Sequence, residues 1–135
     1  MSTDGLVDIG SLNFDENHDA FDKADCVKNF LTKISLEYNV TSVFIEENLQ
    51  AFQPGKSSAG TIVKLARFNG IVSYLCHAVF QLKPQFLNVM TARKIVGIKI
   101  NKSDKTKTTK EQVRDWTILQ IPNVKWPTKT INRGV

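Results

Sequence analysis

Val43-Phe44-Ile45-Glu46-Glu47 is the stretch whose reading decides the fold. Three apolar residues in succession are too few for a helix. They read as a short strand apolar on both faces, the pattern of a parallel sheet covered by helices. A second run of the same kind, Phe86-Leu87-Asn88-Val89-Met90, follows Pro84. Between the two lie a polar loop at 51–60 and a segment at 61–82 that is apolar around most of its circumference. Strand, loop, helix, strand is the order of a parallel βαβ unit, so 43–46 and 86–90 are expected to pair in parallel. The intervening helix is expected to be buried nearly all round, with Gly60 and Gly70 admitting another backbone closely.

Outward from this unit, residues 6–14 read as a further strand, and residues 15–18 as a turn. From Asp19 the positions Ala20, Ala24, Val27, Leu31 and Ile34 recur at helical spacing, with Asn39 as a left-handed cap. After the second run, Thr91 can cap a short helix that passes Val96 and ends at Gly97. Residues 99–110 are lysine-rich without periodicity and are expected to form a mobile basic loop. Thr108 and Glu111 are spaced as a capping box, opening a last helix that Pro122 and Pro127 close. The pattern is α/β with a partly parallel sheet.

At 135 residues, with 41% hydrophobic and 23% charged residues, the chain has the composition of one folded domain rather than of a disordered segment. No signal peptide or membrane span is visible, and the apolar stretch at 71–80 is broken by Ser73 and His77. His77 reads as a core histidine. Cys26 and Cys76 stand far apart without a CxxC motif, which suits free thiols in a reducing, cytoplasmic setting.

The net charge of +5 conceals an asymmetry. Residues 1–50 carry ten acids against three lysines, a net of −7, whereas residues 51–135 carry fifteen Lys and Arg against three acids, a net of +12. The split favours a polyanion such as nucleic acid touching mainly the second half. An inert solvated tail would account for residues 99–110 but not for Lys56, Lys64, Arg67, Arg93 and Lys94.

Two carboxylates stand out chemically. A carboxylate at the carboxyl end of a buried strand can hold a hard divalent cation, and basic residues close behind can hold phosphates, the parts of a metal-dependent nuclease. Strand alternation allows only one of Glu46 and Glu47 to join a given site, and Glu46 is the candidate. Asp8, in Val7-Asp8-Ile9-Gly10-Ser11, is the second; were its strand a parallel neighbour of 43–46, the two acids could share one Mg²⁺ or Mn²⁺. The alternative is an edge strand with Asp8 facing water.

Phe44-Ile45-Glu46-Glu47, the loop Gln53-Pro54-Gly55-Lys56-Ser57-Ser58-Ala59, the helix Lys64-Leu65-Ala66-Arg67-Phe68-Asn69-Gly70, and Ala92-Arg93-Lys94 with Gly97 resemble, in order and spacing, the ribonuclease H-like fold. Within it, the resemblance is to RuvC-like Holliday-junction resolvases of the phage type. It implies a structure-selective, Mg²⁺-dependent endonuclease domain of a bacterial or phage-infected cell, with Glu46 and Asp8 as catalytic metal ligands. It also implies DNA phosphate contacts by Lys56, Lys64, Arg67, Arg93, Lys94, Lys102, Lys105, Lys107 and Lys110. Residues 6–14 would be either the first or the third strand of that family. The family's acidic carboxyl-terminal helix has no counterpart here, since no acid follows Asp115. The expectation is therefore a domain truncated at both ends, weakly active or inactive alone, with open sheet edges that favour a homodimer. A catalytically dead nucleic-acid-binding module and an oligomerising structural domain are the alternatives.

Overall fold

The computed structural model describes residues 5–47 and 58–126. Along the chain run α1 (Ala20–Glu37), β1 (Phe44–Glu46), α2 (Ala59–Phe80), β2 (Gln85–Leu87), α3 (Val89–Val96) and α4 (Thr109–Gln120). The chain divides into two compact units: Leu12–Ala92, and Met1–Ser11 together with Arg93–Val135.

In the unit Leu12–Ala92, α1 and α2 pack on each other, and β1 pairs with β2. Asp19 starts α1 because its carboxylate accepts from the Asp22 N–H while Asp22 returns the bond to the Asp19 N–H, a reciprocal capping box. Tyr38, not Asn39, ends the helix, in extended geometry. The Ser58 hydroxyl caps α2, and Gln81 closes it at φ 58°, a left-handed cap filled by a non-glycine residue.

The two strands are parallel, as the βαβ order required, with Phe44 opposite Gln85, Ile45 opposite Phe86 and Glu46 opposite Leu87. The ladder is extended at both ends, by Gln85 N–H donating to Val43 O at 2.9 Å and Glu47 N–H donating to Leu87 O at 2.8 Å. β2 is shorter than expected. The Asn88 side chain accepts from the Met90 N–H at 2.8 Å, so Val89 and Met90 turn into α3 instead of extending the strand. Gly97 ends that helix at φ 86°, as its position after Val96 predicts.

Several expectations are corrected. Residues 6–14 form no strand among the described residues, and an extended segment becomes a strand only when another backbone completes its ladder. α2 is not buried all round: Cys76, at 4% exposure, is its one buried position among the described residues, and Val27 at 6% plays that part in α1. Nor is the sheet covered. Residues paired in a parallel register share a face, so Phe44 and Phe86 point to opposite faces, and they are 55% and 51% exposed. A β-carbon at Gly60 or Gly70 would meet nothing within 4 Å, so neither glycine admits a close neighbour. His77 is exposed rather than in the core, and its Nδ1 lies 3.1 Å from the Leu82 carbonyl. A carbonyl can only accept, so Nδ1 is the protonated nitrogen in this bond.

In the other unit, α4 opens with the expected capping box of Thr108 and Glu111. The basic segment before it is not an irregular tether but a hydrogen-bonded loop, described below.

Candidate nucleic-acid interface and strand-end cavity

Two sites emerge, one in each compact unit. The first lies at the carboxyl ends of β1 and β2, where ligands commonly enter parallel sheets. A cavity of about 690 Å³ there is lined by Ile62, Leu65, Phe68 and Val72 of α2, by Ile45, and by Asn88, Val89 and Met90 around the α3 start, with Glu46, Glu47 and Asn69 supplying polar groups. The Asn69 amide donates to the Glu46 carbonyl at 3.1 Å and ties α2 to the end of β1. Phe68 also meets Phe14 edge-on with centroids 5.9 Å apart, and Lys23 sits 5.8 Å above the Phe14 ring.

The carboxylates divide as alternation demands. Glu46 leaves β1 on the exposed side with Phe44, whereas Glu47 follows Val43 and Ile45 on the more covered side. Glu47 is thus the less exposed of the pair. Asp8 belongs to the other compact unit, on a segment that forms no strand among the described residues, and its carboxylate accepts locally from the Ile9 N–H at 2.8 Å.

Magnesium takes about six oxygen ligands, and paired-metal nucleases surround it with several carboxylates. Among the described residues no group of three His, Cys, Asp or Glu side chains could hold a metal. Glu46 and Glu47 alone, on opposite faces, do not fit that ion.

The second site is the loop between α3 and α4. Asn101 and Asp104 each build an Asx turn two residues ahead. The Asn101 Oδ1 accepts from the Ser103 N–H and hydroxyl at 3.0 and 2.6 Å, and the Asp104 Oδ1 accepts from the Thr106 N–H and hydroxyl at 2.8 and 2.6 Å. Those Thr106 bonds, the hydroxyl's first, hold the Asp104 carboxyl below its ordinary pKa. From α4, the Gln112 amide donates to the Asn101 carbonyl at 2.9 Å and to the Lys107 carbonyl at 3.3 Å, while its oxygen accepts from the Asn101 N–H at 2.8 Å.

The expected phosphate-binding residues are placed as follows. Lys102, Lys105 and Lys110 are exposed, as is Lys99. Lys107 differs: its ammonium lies 2.6 Å from Asp115, whose hydrogen bond raises the lysine pKa. Both side chains of this pair are about half exposed (52% and 47%), so the bridge orients Lys107 more than it stabilises the fold. Arg93 and Lys94 lie in the last turn of α3, where cations suit the helix dipole. Lys64 and Arg67 are exposed on α2, in the unit Leu12–Ala92. Lys56 lies outside the described residues.

Sequence reading missed the roles of Asn69, which ties α2 to β1 in one unit, and of Gln112, which ties the basic loop to α4 in the other. The Asn-x-Ser and Asp-x-Thr spacings at 101–103 and 104–106 were a legible signal for an ordered loop. Nothing local marks Gln112, whose partner lies eleven residues away in sequence.

No family model matches the chain, and no curated protein or solved structure matches it either. Among the described residues no helix is long and apolar enough to cross a membrane. Among the described residues the architecture is a mixed one, four helices and a two-stranded parallel sheet, broadly α/β.

Proposed function

We propose that this chain is a nucleic-acid-binding module that grips the phosphate backbone of DNA, working in the cytoplasm of a bacterial or phage-infected cell. One observation carries the reading. The lysine-rich stretch is a hydrogen-bonded loop in which the nearby acids are already engaged. Asp104 is turned onto Thr106, Glu111 onto the Thr108 N–H, and Asp115 onto Lys107. Lys99, Lys102, Lys105 and Lys110 remain exposed around them, in a half-chain of net charge +12. Such a surface binds phosphates by counterion release, with affinity that falls steeply with salt and varies little with base sequence. The test is a salt titration of binding to random duplex and to four-way junction DNA. Replacing Lys102 and Lys105 by Gln should weaken binding and flatten the salt slope. Equal binding to polyglutamate would instead assign the loop to an acidic protein partner, and absence of binding at low salt would leave an oligomerising structural role.

A second reading, a ribonuclease H-like, RuvC-like nuclease domain, is favoured by one feature: Glu46 stands at the carboxyl end of a parallel pair joined through α2, beside a cavity. The described residues do not fit its magnesium ions, so the chain should bind junction DNA without cutting it. Robust cleavage in Mg²⁺ or Mn²⁺ that disappears in Glu46→Gln would reinstate the nuclease.

A further inference from the structure

We infer that Gln112, a neutral side chain, is the positioning residue that holds the basic loop in its phosphate-contacting shape; the inference rests on the nucleic-acid reading above. A flexible run of lysines loses side-chain and backbone entropy each time it engages a polyanion, whereas a preformed loop has lost much of it beforehand. The loop at 101–107 is closed at both ends by one amide. Gln112 makes a reciprocal pair with the Asn101 backbone, donating at 2.9 Å and accepting at 2.8 Å, in the manner of one rung of a β-ladder, and reaches Lys107 O at 3.3 Å.

The anchor itself is firm. Gln112 sits in the first turns of α4, whose start is held by the Thr108–Glu111 capping box, and the Gln112 N–H continues the helix by donating to Thr108 O at 3.0 Å. Between the two clamped points, the Asx turns of Asn101 and Asp104 fold Lys102 and Lys105 outward, both exposed. Gln112 touches no phosphate in this scheme. It fixes the spacing of the cations that do.

The test uses the full chain and a charge-neutral change, Gln112→Met, which preserves length and helix propensity while removing all three hydrogen bonds. Binding to a labelled random-sequence duplex is followed by fluorescence anisotropy across a salt series. The expected result is a several-fold loss of affinity with a salt slope reduced by about one phosphate equivalent, roughly 0.9, although no charge has been removed. Helical circular dichroism stays near wild type, while the unfolding midpoint falls modestly with the lost hydrogen bonds. A structural role unconnected with binding would leave the slope unmoved. If Lys102→Gln/Lys105→Gln lowers the slope but Gln112→Met does not, the positioning role is overturned and the nucleic-acid reading stands. If neither variant lowers it, both fall. Should Gln112→Met fail to fold, hydrogen exchange in the wild-type protein decides the matter: protection of the Asn101 amide supports the clamp, and exchange at the open-chain rate overturns it.

Discussion

The side-chain amide of Asn69 donates to the backbone carbonyl of Glu46 across 3.1 Å, although the two residues are 23 apart in sequence. This bond joins the middle of α2 to the carboxyl end of β1 and forms one wall of the strand-end cavity. Asn69→Ala leaves that carbonyl without its protein donor and should cost about 0.5–1.5 kcal/mol of stability, the usual net worth of such a bond. Urea unfolding of the two proteins at equal slope measures the difference. An unchanged midpoint would mean that water replaces the amide without loss.

Gly70 follows directly on the same helix and has open space where a β-carbon would stand. Gly70→Ala should therefore stabilise the protein by about 0.5–1 kcal/mol through reduced freedom of the unfolded chain and better helix propensity. Thermal unfolding reads the change directly. A destabilised Gly70→Ala protein would show that this helix face is covered by a second copy of the chain, which sedimentation over a concentration series would then reveal.

The amino terminus of α1 should give the protein a sensitivity to acid. The Asp22 N–H donated to the Asp19 carboxylate at 2.8 Å, the largest influence on that group, lowers its pKa below the ordinary 3.8. A carboxyl with a depressed folded pKa stabilises above its unfolded value and loses that contribution as pH falls through the folded one. The stabilisation by Asp19 is thus present above about pH 3.8 and is lost progressively as pH falls from there through the lower folded value. Asp19→Asn, which keeps a capping acceptor without the charge, should flatten this part of the acid limb while leaving neutral-pH stability nearly unchanged. Unfolding midpoints followed down the pH scale would register it, and an identical acid limb in both proteins would exclude Asp19 as a source.

Within the basic loop the lysines should not be equivalent. Lys107 already faces Asp115 at 2.6 Å, whereas Lys102 is exposed and turned outward. Lys107→Ala should reduce the salt slope of DNA binding less than Lys102→Ala does. Asp115→Asn, by releasing the Lys107 ammonium, should raise affinity and steepen the slope. The four salt titrations form one experiment, and a larger effect from Lys107 than from Lys102 would reverse the assignment.

Much of this molecule follows from neighbours within four residues. The capping box at Thr108–Glu111, the stop at Gly97 and the approximate extents of α1, α2 and α4 were legible because each is set by side-chain and backbone chemistry within about a turn. The parallel pairing of β1 and β2 was legible too, since a helix between two short apolar runs leaves few other arrangements.

What the chain could not state locally is which surface another segment covers. Residues 6–14 have strand-like composition, but hydrogen bonds in a sheet belong to two segments, and among the described residues no second one pairs with them. For the same reason the apolar circumference of α2 did not foretell its exposure, and the chemistry of Glu46 and Asp8 did not foretell that they fall in separate units. The lysine run announced its charge by composition alone. Its shape was decided by tertiary structure, because the amide that clamps it comes from a helix that begins only after the loop has ended.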